Sequence, residues 1–126
     1  MINNVLYISP QDNIDYKKYD FSVLIDTNDN FWSNKELVLK KIEHLIAEKC
    51  KYFVCYGVIS EEVHDIIDDF IIEDDLNEDI ITTYHVNESD DNVAFFYYKI
   101  VISKYNYNYV ICQDKEKWKR LGEIYD

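Results

Sequence analysis

Glycine and proline are nearly missing from the 126 residues, with two of the first and one of the second. So sparse a supply excludes collagen-like, linker-like and low-complexity chains. With 48% of the residues hydrophobic, it points instead to densely regular structure. No stretch approaches the roughly 20 apolar residues that span a bilayer. The start, MINNVLYISP, lacks a basic segment followed by an apolar one. The expectation is a soluble, unexported, cytoplasmic protein with no membrane contact. The three cysteines, Cys50, Cys55 and Cys112, are odd in number and show no CxxC spacing. That argues against a disulfide or zinc framework and for reduced core thiols.

The most informative absence is of positive charge. Between Lys51 and Lys99 there is no Lys or Arg, while that interval carries 13 of the 25 Asp and Glu. The flanking segments balance, so the middle holds the whole excess of the net charge of -12. A field of that sign repels phosphate backbones and anionic lipids and attracts basic proteins or cations. Nucleic acid is therefore not an expected partner. The twelve Tyr and the many Asn, Ile and Lys are explained by an AT-rich coding sequence and do not mark a binding surface.

Apolar runs alternate with helical spacing along the chain. Val5 to Ile8, closed by Ser9 and Pro10, makes residues 1–19 either an edge strand or a docked arm. Phe21 to Ile25 is a buried strand bounded by DTNDN. A capping-box pattern from Ser33 to Glu36 then opens a helix carrying Val38, Ile42, Leu45 and Ile46. Tyr52 to Tyr56 is the next strand and Gly57 releases it. Ser60 can cap a helix whose Val63, Ile66, Ile67, Phe70 and Ile71 share one face. Ile80 to Tyr84 makes a third strand. Residues 88–103 mix β-branched and aromatic residues with helical spacing, and length decides for helix. Tyr109 to Cys112 and Asp114 to Leu121 add a fourth strand and a closing helix. The pattern predicts one α/β domain over residues 1–126: a three-layer α/β/α arrangement with a mostly parallel sheet of about four strands. The four runs from Phe21 onward are expected to be neighbouring central strands covered on both faces.

On the second helix Glu61, His64, Asp65 and Asp68 fall within one arc away from the apolar face. A solvated helix face is the plain explanation. The chemical alternatives are a metal held by His64, Asp68 and His85, or a general base oriented by a carboxylate. Asp26 to Asn30 resembles half of a calcium loop, but Leu37 stands where the bidentate Glu belongs, so an EF-hand is excluded. A phosphoaspartate at Asp26 lacks a paired acid and a Lys after a later strand. Isolated glycines provide no phosphate cradle, which weighs against nucleotide cofactors; no cofactor is expected. Phe31, Trp32 and Trp118 suit core or rim more than a contact anchor.

Gly57, Glu61 or Glu62, His64-Asp65, Asp68 and then Thr82-Thr83-Tyr84-His85 resemble an uncharacterised family of small bacterial α/β proteins with HDxxD and TTxH motifs. The likeness runs from about Phe21 to Cys112. A Trp usual beside the His is absent, since Val63 precedes His64 and Tyr84 precedes His85. The resemblance implies the α/β fold and a His64/Asp65/His85 site, and no reaction.

Small size, acidity and the lack of a catalytic signature lead to an immunity-type protein that neutralises a basic toxin such as a nuclease. Its partner-binding residues would be Glu61, Glu62, Asp65, Asp68, Asp69, Asp74 and Asp75, with clustered carboxylates mimicking phosphate. The alternatives are a metal-dependent hydrolase using His64, Asp65, Asp68 and His85, and an accessory or self-associating subunit. The oligomeric state does not follow from the sequence.

Overall fold

A computed structural model describes residues 4–12, 15–16, 19–73 and 79–125. Five strands form a single, wholly parallel sheet: β1 (Asn4–Ile8), β2 (Phe21–Asp26), β3 (Cys50–Tyr56), β4 (Ile81–His85) and β5 (Tyr107–Ile111). Their order is β1-β5-β2-β3-β4. Parallel strands need long crossovers; of the four helices among the described residues, the first three lie between strands and the fourth follows the last strand. These are α1 (Lys35–Ala47), α2 (Ser60–Glu73), α3 (Asp90–Phe96) and α4 (Lys115–Ile124). A π-helical stretch, Tyr97–Val101, and a 3-10 turn, Ile102–Lys104, continue α3.

The alternation of strand side chains divides the core in two. Phe21, Val23, Ile25, Phe53, Cys55, Tyr109 and Ile111 pack under α1 and α2 with Val38, Ile42, Leu45, Val63 and Ile67. Leu24, Val54, Val110 and Cys112 face the other way, against Val93, Tyr97, Tyr98, Val101, Trp118 and Leu121 of the α3 and α4 layer. The three-layer α/β arrangement follows. All three cysteines are free and buried, and both tryptophans are core residues, as their surroundings in the sequence suggest.

Some local expectations need correction. The described residues form five strands rather than four, because the edge strand that was one of two expectations for Val5 to Ile8 is present as β1, paired with β5. Of the described residues before β2, Tyr16 also docks, stacking on Phe21 with ring centroids 5.0 Å apart. The strand expected at Ile80 to Tyr84 is not central. As Ile81–His85 it is the sheet edge beyond β3, and its two threonines suit a half-open position better than a covered one. Ser33 lies in a 3-10 turn, Asn30–Ser33, and Asn34 caps α1 by accepting from Leu37 N–H at 3.2 Å. Ser60 begins α2 rather than capping it, and its buried hydroxyl has no partner.

Gly57 is needed where it stands. Its φ of 119° is one L side chains rarely adopt, and an added Cβ would lie 2.6 Å from Thr27 Oγ1 and 2.7 Å from Asn28 Oδ1. The ends of β2 and β3 thus come together only because position 57 has no side chain.

Candidate functional site

The outer face of α2 is the first candidate. Val63 and Ile67 are buried, and Ile66, Phe70 and Ile71 pack beside them. At 100° per residue this turns Glu61, Glu62, Asp65, Asp69 and Glu73 outward, and all five are exposed. Glu61 and Glu62 occupy the first turn, where the helix dipole favours anions. Among the described residues, no Lys or Arg lies within ion-pair distance of any carboxylate on α2. Asp68 is partly withdrawn and accepts a hydrogen bond from Thr82 Oγ1 at 3.1 Å. His64 lies between Asp65 (Nδ1 to Oδ1, 3.4 Å) and Asp68 (Nε2 to Oδ2, 3.6 Å). Its ring rests on Tyr84 at 4.8 Å. Asp74 and Asp75 fall outside the described residues.

His85 does not join this group. Along β4 the side chains alternate, so Thr82 and Tyr84 meet α2 while Thr83 and His85 turn to the opposite face of the sheet. There the His85 ring meets Phe96 at 5.3 Å. It contacts Glu88 at 2.9 Å and Thr83 Oγ1 at 3.0 Å through its two nitrogens. The expected His64/Asp65/His85 site and the metal set of His64, Asp68 and His85 therefore do not assemble. Among the described residues, His64, Asp65 and Asp68 alone have donor atoms within 4.8 Å of one another. Yet the imidazole turns different nitrogens to the two carboxylates, and so bridges them.

A second polar cluster went unforeseen. Open parallel sheets hold ligands at the carboxyl ends of two adjacent strands whose connections leave to opposite faces. Here β2, continuing to α1, and β5, continuing to α4, form one such pair. At that point Asp26 accepts from Trp118 Nε1 at 2.9 Å and from Asn28 N–H at 3.0 Å. Lys117 Nζ stands 3.5 Å from Asp26 and 3.6 Å from Asp90. The Tyr56 hydroxyl donates to Asp90; burial first, and the Asp90 carboxylate next, push its pKa up. Thr27 adds two bonds to the Tyr56 carbonyl, from N–H and from Oγ1, each 2.8 Å. The acid and the Lys that Asp26 seemed to lack are thus Asp90 and Lys117. With Trp118, Lys117 and Asn28 around it, the Asp26 side chain is left 8% exposed. The sequence signal was an Asp at a strand end and a Lys-Trp pair opening the helix after another strand. Their meeting depends on strand order, which the residues do not reveal.

The chain belongs to a family whose model, described as a domain of unknown function (DUF7684), matches residues 4–125. No curated protein and no solved structure matches it. No helix among the described residues is long and apolar enough to cross a membrane.

Proposed function

We propose that the protein is an acidic, cytoplasmic binding protein of the immunity type, which neutralises a basic toxin such as a nuclease through the outer face of α2. One observation carries the reading: Glu61, Glu62, Asp65 and Asp69 stand on a helix anchored by its buried face and have no Lys or Arg partner among the described residues. Carboxylates held open at helical spacing can take the place of phosphates on a nuclease surface. They also steer a basic partner into contact faster than uncharged surfaces would.

The test is protection. Cells expressing a basic nuclease toxin encoded beside this chain should survive when the chain is co-expressed. Asp65→Lys with Asp69→Lys should abolish survival, with the variant still folded by circular dichroism. In vitro, association should weaken steeply between about 50 and 200 mM salt. Protection that survives the charge reversal, or binding indifferent to salt, would overturn the reading.

A further inference from the structure

Beside the carboxylates lies a groove of about 570 Å³ between the start of α1 and α2. Its apolar walls are Trp32, Val38, Val63 and Ile66, and Glu62, Asp65 and Asp69 stand along it. Lys35 also lines it, but it makes no ion pair with those three acids. Three anions beside one cation, over an apolar floor, form an environment of definite chemistry. A compact ammonium keeps a tight water shell and gains little from such a floor. A guanidinium is flat, weakly hydrated and forked, so it can lie on apolar or aromatic surface while donating to two carboxylates at once.

We propose that this groove is the specificity pocket of the acidic face and that its occupant is an arginine side chain on an exposed segment of the basic partner. The proposal rests on the reading of α2 as a partner surface and deepens it. The outer carboxylates, Glu61 and Glu73, attract any cation. The groove acids, Asp65 and Asp69, select arginine.

Two peptides of equal charge, acetyl-GRRRG-amide and acetyl-GKKKG-amide, separate these roles when titrated into the ¹⁵N-labelled full chain at about 50 mM salt. The arginine peptide should bind about tenfold more tightly, with shifted amides grouped at residues 32–38 and 59–69. Asp65→Asn with Asp69→Asn should remove that preference. Glu61→Gln with Glu73→Gln removes the same charge outside the groove and should weaken both peptides alike. Equal affinities with shifts spread over α2 would overturn the groove and leave the acidic face standing. Failure of both peptides to bind would overturn both readings. Shifts at the groove that grow with protein concentration, without peptide, would make a second copy of the chain the occupant and overturn the arginine assignment.

Discussion

Asp26 and Asp65 are the same residue type, yet the structure treats them in opposite ways. At the carboxyl edge of the sheet, Asp26 is buried and meets an indole N–H, a backbone N–H and an ammonium. On α2, Asp65 is exposed, has His64 as its one polar contact among the described residues and lies beside further acids. The same division runs through the polar groups of the two sides. Under α3 and α4, Tyr7 meets Tyr98, which donates to the Trp118 carbonyl at 2.9 Å. Ser22 joins Tyr97 at 2.8 Å and Asn108 at 2.5 Å. A buried polar group without a partner costs about 1 to 3 kcal/mol, so the pairs formed by these groups favour the packing that brings them together, although the hydroxyls of Tyr16 and Ser60 and the Trp32 indole N–H stay unmatched on the other side. No such pressure acts on the outer face of α2. Its chemistry is free to answer to something outside the molecule.

The largest test of the closed interior is alkaline pH. Burial raises the pKa of Cys50, Cys55 and Cys112, the last to about 12. Burial likewise raises those of Tyr16, Tyr97 and Tyr98. The unfolded chain releases thiol protons near 9.0 and phenol protons near 10.0, while the native chain keeps them. The native state then binds more protons, so these groups leave stability unchanged below about pH 9 and lower it above. Each retained proton contributes about 1.4 kcal/mol per pH unit, and three thiols together about 4. Urea midpoints from pH 8 to 10.5 should drop accordingly. A flat profile would mean that the interior is more open than its geometry.

Next in size is Asp26→Ala. It strips the Trp118 indole of its acceptor and leaves Lys117 with Asp90 alone, at a cost of about 3 kcal/mol. Asp26→Asn keeps an acceptor and should cost about half as much. Urea unfolding measures both. A loss under about 1 kcal/mol for the alanine variant would erase the contrast with Asp65.

The two regions also differ in how legible they were. The acidic face of α2 follows from helical spacing alone, because exposure needs no partner. The strands were legible for a similar reason: Phe21 to Ile25 and Tyr52 to Tyr56 are apolar runs covered on both faces, and Gly57 marks where the second ends. The helix through residues 90–104 was legible from spacing and length. Its π-helical stretch was not, because it begins at two consecutive buried tyrosines whose hydroxyl partners, Ser22 and Tyr7, lie 75 and 91 residues away. The Asp26 cluster was hidden for the same cause, since Trp118 is 92 residues distant. His85 was placed at the correct strand end and assigned to the wrong face; counting the alternation from Thr82 would have separated it from His64.

Gly57→Ala sharpens the comparison because this residue joins the two regions. The substitution forces a side chain into a strained φ and against Thr27 and Asn28, a cost of about 2 kcal/mol. The Asn28 carboxamide accepts from Val58 N–H at 3.2 Å, just before α2. Relief of the clash should therefore disturb the start of that helix, and hydrogen exchange should quicken at residues 58–62. Unchanged exchange would show that α2 is placed by its buried face alone.

The smallest effect is the most telling. Asp65 and Asp69 are four residues apart on one helix, as are Glu61 and Asp65, and like charges at that spacing repel by about 0.2 to 0.5 kcal/mol. Among the described residues Asp69 accepts from no donor, and Asp65 has only the long His64 Nδ1 contact at 3.4 Å, which the oxygen of an Asn can still meet; the bond from β4 goes to Asp68. Asp65→Asn with Asp69→Asn should therefore leave the urea midpoint unchanged or raise it slightly, by at most about 0.5 kcal/mol. Asp68→Ala, which orphans the Thr82 hydroxyl, should lower stability by about 1 kcal/mol. Carboxylates that weaken the helix bearing them contribute nothing to folding, which is what the proposed partner surface requires of them. Measurable destabilisation of the double variant would show instead that the open face takes part in the fold and would remove the reason for assigning it to a partner.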